Sequence, residues 1–156
     1  DLCASAAYFT ACYCDRIVAN NSLSAEFGSI GVMLQFWDIV PFYEQQGLKF
    51  HRIYAPESTH KNLPFEKALE GKYDLIKEEE LSPLAVGFQN TVKEKRGSKL
   101  DMSVEGLLNG RMFYAVNPND DKLSAKSVGL IDEVASLEYA VELAASLADV
   151  RKFMLK

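Results

Sequence analysis

Short apolar runs alternate with helical patterns along this chain, and that alternation constrains the fold more than any single residue does. Ser5–Cys14 is small and aromatic, with no helix breaker, and reads as a buried helix opened by a serine. Arg16–Ala19 reads as a short strand and Asn20–Phe27 as a polar loop. Ser29–Leu34 is almost wholly apolar, the pattern of a strand covered on both faces in a parallel sheet. Asp38 caps a helix over Ile39–Gln46, with Pro41 in its first turn and Gly47 just past its end. Lys49–Tyr54 alternates as a strand does, and Ala55–Leu63 is a loop. Tyr73–Arg96 is the longest helical pattern, with Leu81, Leu84, Ala85, Phe88 and Val92 on one stripe. Pro83 kinks that helix or opens its second half, and Gly97 ends it. Ser103 caps a short helix to Asn109, and Arg111–Tyr114 is a strand. The turn-rich loop Asn117–Asp121 leads to a short helix ending at Val128, a strand over Ile131–Val134 and an amphipathic helix over Leu137–Lys152. The pattern predicts an α/β layer fold with a mainly parallel sheet.

The length of 156 residues is that of one ordinary domain, so a single domain over residues 1–156 is expected. With 48% hydrophobic and 25% charged residues, the chain has the composition of a packed globule rather than of a disordered segment. Seventeen basic residues against 22 acidic ones leave a net charge of −5, without the basic stripe that nucleic acid would require. No apolar run reaches the roughly 18 residues of a membrane span, and the start does not resemble a secretory signal. Cys3, Cys12 and Cys14 are odd in number and clustered, a poor disulfide framework that points to a reducing compartment. No second ligand pair follows at matching spacing, so no metal is expected. Asp1-Leu2-Cys3-Ala4 passes at once into small apolar residues with no cap before them, and a fragment or processed chain of a larger protein is expected.

No glycine-rich phosphate loop, dinucleotide fingerprint or paired-acid motif is present, so no cofactor is expected. His51 and His60 are the only histidines that could act as bases, and each reads rather as a strand or loop histidine on the surface. Ser5 stands out because it precedes a helix of small residues, beside backbone N–H groups that favour developing negative charge. Taken alone, Ser5 reads as a plain N-cap. A lysine can take a serine proton where burial leaves its amine neutral, but physics alone does not pick Lys61 from the seventeen basic residues.

Six blocks make that choice by resemblance. Ala4-Ser5-Ala6-Ala7-Tyr8-Phe9 with Asp15-Arg16-Ile17-Val18-Ala19, Gly28-Ser29-Ile30-Gly31-Val32, Gln46-Gly47-Leu48-Lys49-Phe50, His60-Lys61-Asn62, Gly110-Arg111-Met112-Phe113 and Gly129-Leu130-Ile131-Asp132-Glu133-Val134 occur in one order. Together they resemble the signal peptide peptidase A family of serine peptidases, from Ala4 to about Val134. The resemblance implies the superhelix of ββα units shared with the Clp protease and crotonase. It implies a Ser-Lys dyad with Ser5 as nucleophile, Lys61 as general base, Ser29 orienting the lysine and the Ala6 backbone N–H as an oxyanion donor. It further implies that this chain is the C-terminal part of such a peptidase, the other oxyanion donor belonging to a glycine-rich segment of the family's first half. The substrate would be a protein or peptide, and the active partner a homo-oligomer whose sites are shared between subunits. Tyr8, Phe9 or Tyr13 would then be exposed near Ser5.

The sequence departs from the family pattern at several points. Ala6 and Ala7 stand where the family usually has two glycines, Asn62 where it has aspartate, and Asn117–Lys122 as an insertion. The alanine pair resembles the phage and prophage branch, which matures capsid or scaffold proteins in the cytoplasm. A membrane-associated bacterial signal peptide peptidase and a catalytically silent assembly module of the same fold are the alternative readings.

Overall fold

The computed structural model describes residues 1–154 and shows a mixed α/β chain. The contacts divide it into two compact units, one of residues 1–31 with 87–156 and one of residues 32–86. Among the described residues, the first unit holds all the strands and the hydrophobic core.

In the first unit, β1 (Leu2–Ala4) leads directly into α1 (Ala6–Ala11), followed by β2 (Val18–Ala19) and β3 (Glu26–Gly28). β3 forms where the sequence reads as loop, because the Asn21 side-chain carbonyl accepts the amides of Leu23, Ser24 and Ala25 and so closes the turn early. β3 then pairs in parallel with β1, Ala4 opposite Gly28. The expected strand over Ser29–Leu34 is absent: Ser29 takes a φ of 53° and the chain leaves the sheet there.

The antiparallel partner of β3 is β4 (Met112–Tyr114), and β5 (Glu133–Val134) pairs in parallel with β2. The sheet order is β1-β3-β4, with β2-β5 as a separate pair, so two of the three pairings are parallel. Tyr8 is fully buried and its hydroxyl donates to the Leu130 carbonyl at 2.8 Å. Phe9 and Tyr13 of the same segment are exposed, as expected. Ser103–Asn109 is a series of turns rather than a helix, since Gly106 at φ 83° breaks the helical path and the Asp101 carboxylate takes the Ser103 amide. Only the short 3-10 turn Asp121–Leu123 precedes Val128 where a helix was expected.

The second unit contains α2 (Val40–Gln45), α3 (Leu63–Leu69) and α4 (Asp74–Ile76). The Asp38 carboxylate accepts the Val40 amide and Pro41 lies in the first turn, as the sequence predicts. Lys49–Tyr54 is not a strand, because no neighbouring strand in this unit offers it a ladder. Side chains hold it instead: the Tyr54 hydroxyl donates to Glu66 at 2.9 Å and Arg52 lies 3.7 Å from the same carboxylate. α3 is a helix that the hydrophobic pattern does not announce, although Pro64 in its first turn is a helix-start signal.

A π-helical turn, Lys77–Leu81, precedes α5 (Ser82–Arg96), so Pro83 does open the second half of the long helix. Only Phe88 and Val92 of the expected stripe are buried. α6 (Leu137–Met154) closes the described chain, with Ala140, Leu143, Ala144 and Leu147 beside Arg16 and Val18, yet none of its residues is buried.

Candidate active site

The parallel pair β1-β3 positions the candidate residues. One residue past the Ala4–Gly28 pair, both chains leave the sheet through a serine: Ser5 at φ 52° and Ser29 at φ 53°. The Ser5 amide donates to the Gly28 carbonyl at 2.9 Å, and the Ser29 amide to the Arg111 carbonyl at 3.0 Å. The three neighbouring segments are thereby laced together at the carboxyl ends of the parallel strands, where open α/β sheets place their ligands. Gly28 has a φ of 123°, and a Cβ there would collide with the Arg111 carbonyl oxygen, so the close approach requires glycine.

Ser5 has φ 52° and ψ −123°, a region that side-chain-bearing residues seldom enter. It forms a sharp strand-to-helix turn, the geometry that exposes a serine hydroxyl at the nucleophile elbow of α/β-hydrolases. The residue is exposed and its side chain makes no capping hydrogen bond, so it does not act as a side-chain N-cap. The Phe9 amide closes the first helical bond on the Ser5 carbonyl, while Ala6 and Ala7 lie in the first turn, whose amides have no carbonyl four residues back inside the helix. The strain is measurable: Ser5→Gly is expected to raise stability by about 1 kcal/mol, read as a higher melting temperature. An unchanged or lower value would argue against strain at this position.

The neighbouring thiols are poor rivals as nucleophiles. Burial pushes the Cys3 and Cys12 thiols above the ordinary cysteine value, away from the reactive thiolate. Burial likewise raises the Tyr8 phenol, which keeps its proton and its bond to Leu130.

Ser5, Ala6 and Ser29 are therefore brought together in the first unit, whereas Lys61 belongs to the second. Lys61 is exposed in a run of turns leading into α3, its amide donating to the Ser58 carbonyl at 3.1 Å. Asn62, after it, takes a φ of 63° as the residue before the helix. His60 Nε2 lies within hydrogen-bond distance of Glu79 Oε2, at 2.7 Å on the surface, and His51 is exposed. Among the described residues no group of three or more histidine, cysteine or acidic side chains is arranged to hold a metal.

The paired left-handed serines were not readable in advance, since no local motif demands φ > 0 from serine. The comparison with family models identifies a match over residues 1–151, and the family is Peptidase family S49. No curated protein matches the chain.

Proposed function

The chain belongs to Peptidase family S49, a protease family, and from that premise we propose that it is a serine endopeptidase with Ser5 as its nucleophile. The observation that carries this reading is Ser5 itself, strained in backbone, exposed, and with a side chain that makes no capping hydrogen bond, beside Ser29. In the proposed reaction the Ser5 hydroxyl attacks a peptide carbonyl while the Lys61 amine accepts its proton. The Ala6 N–H donates to the resulting oxyanion, and the Ser29 hydroxyl orients the lysine amine. Lys61 then returns the proton to the leaving amine, and water hydrolyses the acyl-enzyme. The fold completing this site is the ββα superhelix of the Clp protease and crotonase, assembled as a homo-oligomer with shared sites. The Ala6-Ala7 pair supports the phage or prophage branch, cytoplasmic and acting on capsid or scaffold protein.

A fluorophosphonate probe tests the reading directly. It is expected to modify Ser5, located by peptide mass mapping, and modification elsewhere or none at all would refute the nucleophile. Lys61→Arg and Lys61→Ala are expected to lower kcat/KM alike, by about 10²-fold or more, since a guanidinium does not release its proton. An active Lys61→Arg protein would refute the dyad.

A further inference from the structure

Arg111 lies at the same strand ends as the two serines, and no step of the proposed reaction uses it. It stands one residue outside the Met112–Gly28 pair, and its carbonyl holds the Ser29 amide at 3.0 Å. Its side chain is exposed but pinned. The guanidinium carbon sits 5.2 Å from the centre of the Phe113 ring, which is itself buried. One nitrogen donates to the Glu105 carbonyl at 3.3 Å. Gly106 packs under the stem so tightly that a Cβ there would stand 3.0 Å from the Arg111 Cβ.

These contacts use the flat face and one donor of a group that has five. Glu105, the nearest acidic residue in sequence, offers its carbonyl rather than its carboxylate. Among the described residues Arg111 has no carboxylate at ion-pair distance, whereas Arg16, Lys99 and the buried Arg96 share Asp132. A cation fixed in orientation loses little side-chain entropy on meeting an anion, and the guanidinium fork matches a carboxylate.

We propose that Arg111 is a specificity-determining residue that binds a carboxylate of the peptide substrate, beside the bond presented to Ser5. The inference rests on the serine-peptidase reading above and adds the substrate class. The carboxylate has two sources, an acidic side chain near the scissile bond or the free C-terminus, and each is probed separately.

The test compares kcat/KM for three peptides of one parent sequence: a neutral C-terminal amide, the same amide with an internal glutamate, and the neutral peptide with a free C-terminus. The wild-type protein is expected to favour one carboxylate-bearing peptide over the neutral amide by about 10-fold or more. Arg111→Gln is expected to bring that ratio close to one, and Arg111→Glu to favour a fourth peptide, the same amide with an internal lysine, over the neutral amide. A residue that merely braces the turn would not reverse a charge preference. Equal rates for all three peptides with the wild-type protein overturn the inference without any variant, and so does a preference that survives in Arg111→Gln. Fluorophosphonate labelling of the wild-type protein separates the two levels. Labelled Ser5 without carboxylate preference sinks Arg111's role alone, whereas unlabelled Ser5 sinks the serine reading and this inference with it.

Discussion

Ser5→Ala is expected to abolish peptide cleavage, a fall in kcat on the order of 10⁶, while the protein stays folded. The change removes one oxygen that makes no capping bond, so the usual cost of about 1 kcal/mol for losing a side-chain cap does not arise. Stability should stay within about 0.5 kcal/mol of wild type, because alanine meets the same backbone strain as serine. Cleavage rates with thermal melting of the same preparation check both halves. Cleavage at the wild-type rate would remove Ser5 from the reaction. Lost cleavage accompanied by a collapsed melting temperature would show a structural role instead.

The second large effect lies in the core. Arg96 is buried at the end of α5, its Nε donating to the Gly129 carbonyl at 2.9 Å. Its two terminal nitrogens reach the Asp132 carboxylate at 3.0 and 3.3 Å. Asp132 also accepts the Ile17 amide at 2.8 Å and the Lys99 ammonium, tying the end of α5 to the strand entries of β2 and β5. Asp132→Ala would leave the Arg96 charge buried without its partner, at a cost of about 3–5 kcal/mol. Against the roughly 5–15 kcal/mol of a typical domain, that is a large loss, measurable by urea or thermal unfolding. The double change Arg96→Met with Asp132→Leu should be less damaging than Asp132→Ala alone, because it removes both charges together. A double variant no more stable than the single one would show that packing, not the stranded charge, sets the loss.

The same pair carries a pH signature. Burial alone would raise the Asp132 carboxyl, but the hydrogen bonds from Arg96, Lys99 and the Ile17 amide outweigh it and hold it at about 2. A carboxyl whose folded pKa lies below its unfolded value stabilises the fold above the ordinary range near 4. That contribution is lost as pH falls from about 4 through 2. Asp132→Ala should therefore flatten the acid limb of the stability curve.

Some of this protein was written locally. The Asp38-Ile39-Val40-Pro41 start of α2, the α1 segment, the Pro83 start of α5 and the amphipathic α6 were legible, because capping groups, proline and a 3.6-residue period act over a few neighbouring residues. The ordered motif blocks pointed to the peptidase family over most of the chain, in agreement with the match over residues 1–151. The strands were not legible in the same way. Ser29–Leu34 and Lys49–Tyr54 have strand composition but no ladder, while Glu26–Gly28, with a charge and a glycine, is a strand because Leu2–Ala4 and Met112–Tyr114 flank it. A strand exists only where a partner accepts its hydrogen bonds, and the partners here are 24 and 86 positions away along the chain, as the registers Leu2–Glu26 and Phe27–Phe113 show. For the candidate site, the sequence by itself offered Ser5, Ser29 and Lys61 as candidates, and the role proposed for Arg111 had no signal in it. Tertiary structure alone turned Ser5 and Ser29 into adjacent left-handed residues, because the parallel pairing of β1 with β3 ends both strands at one level and holds both serine amides on neighbouring carbonyls.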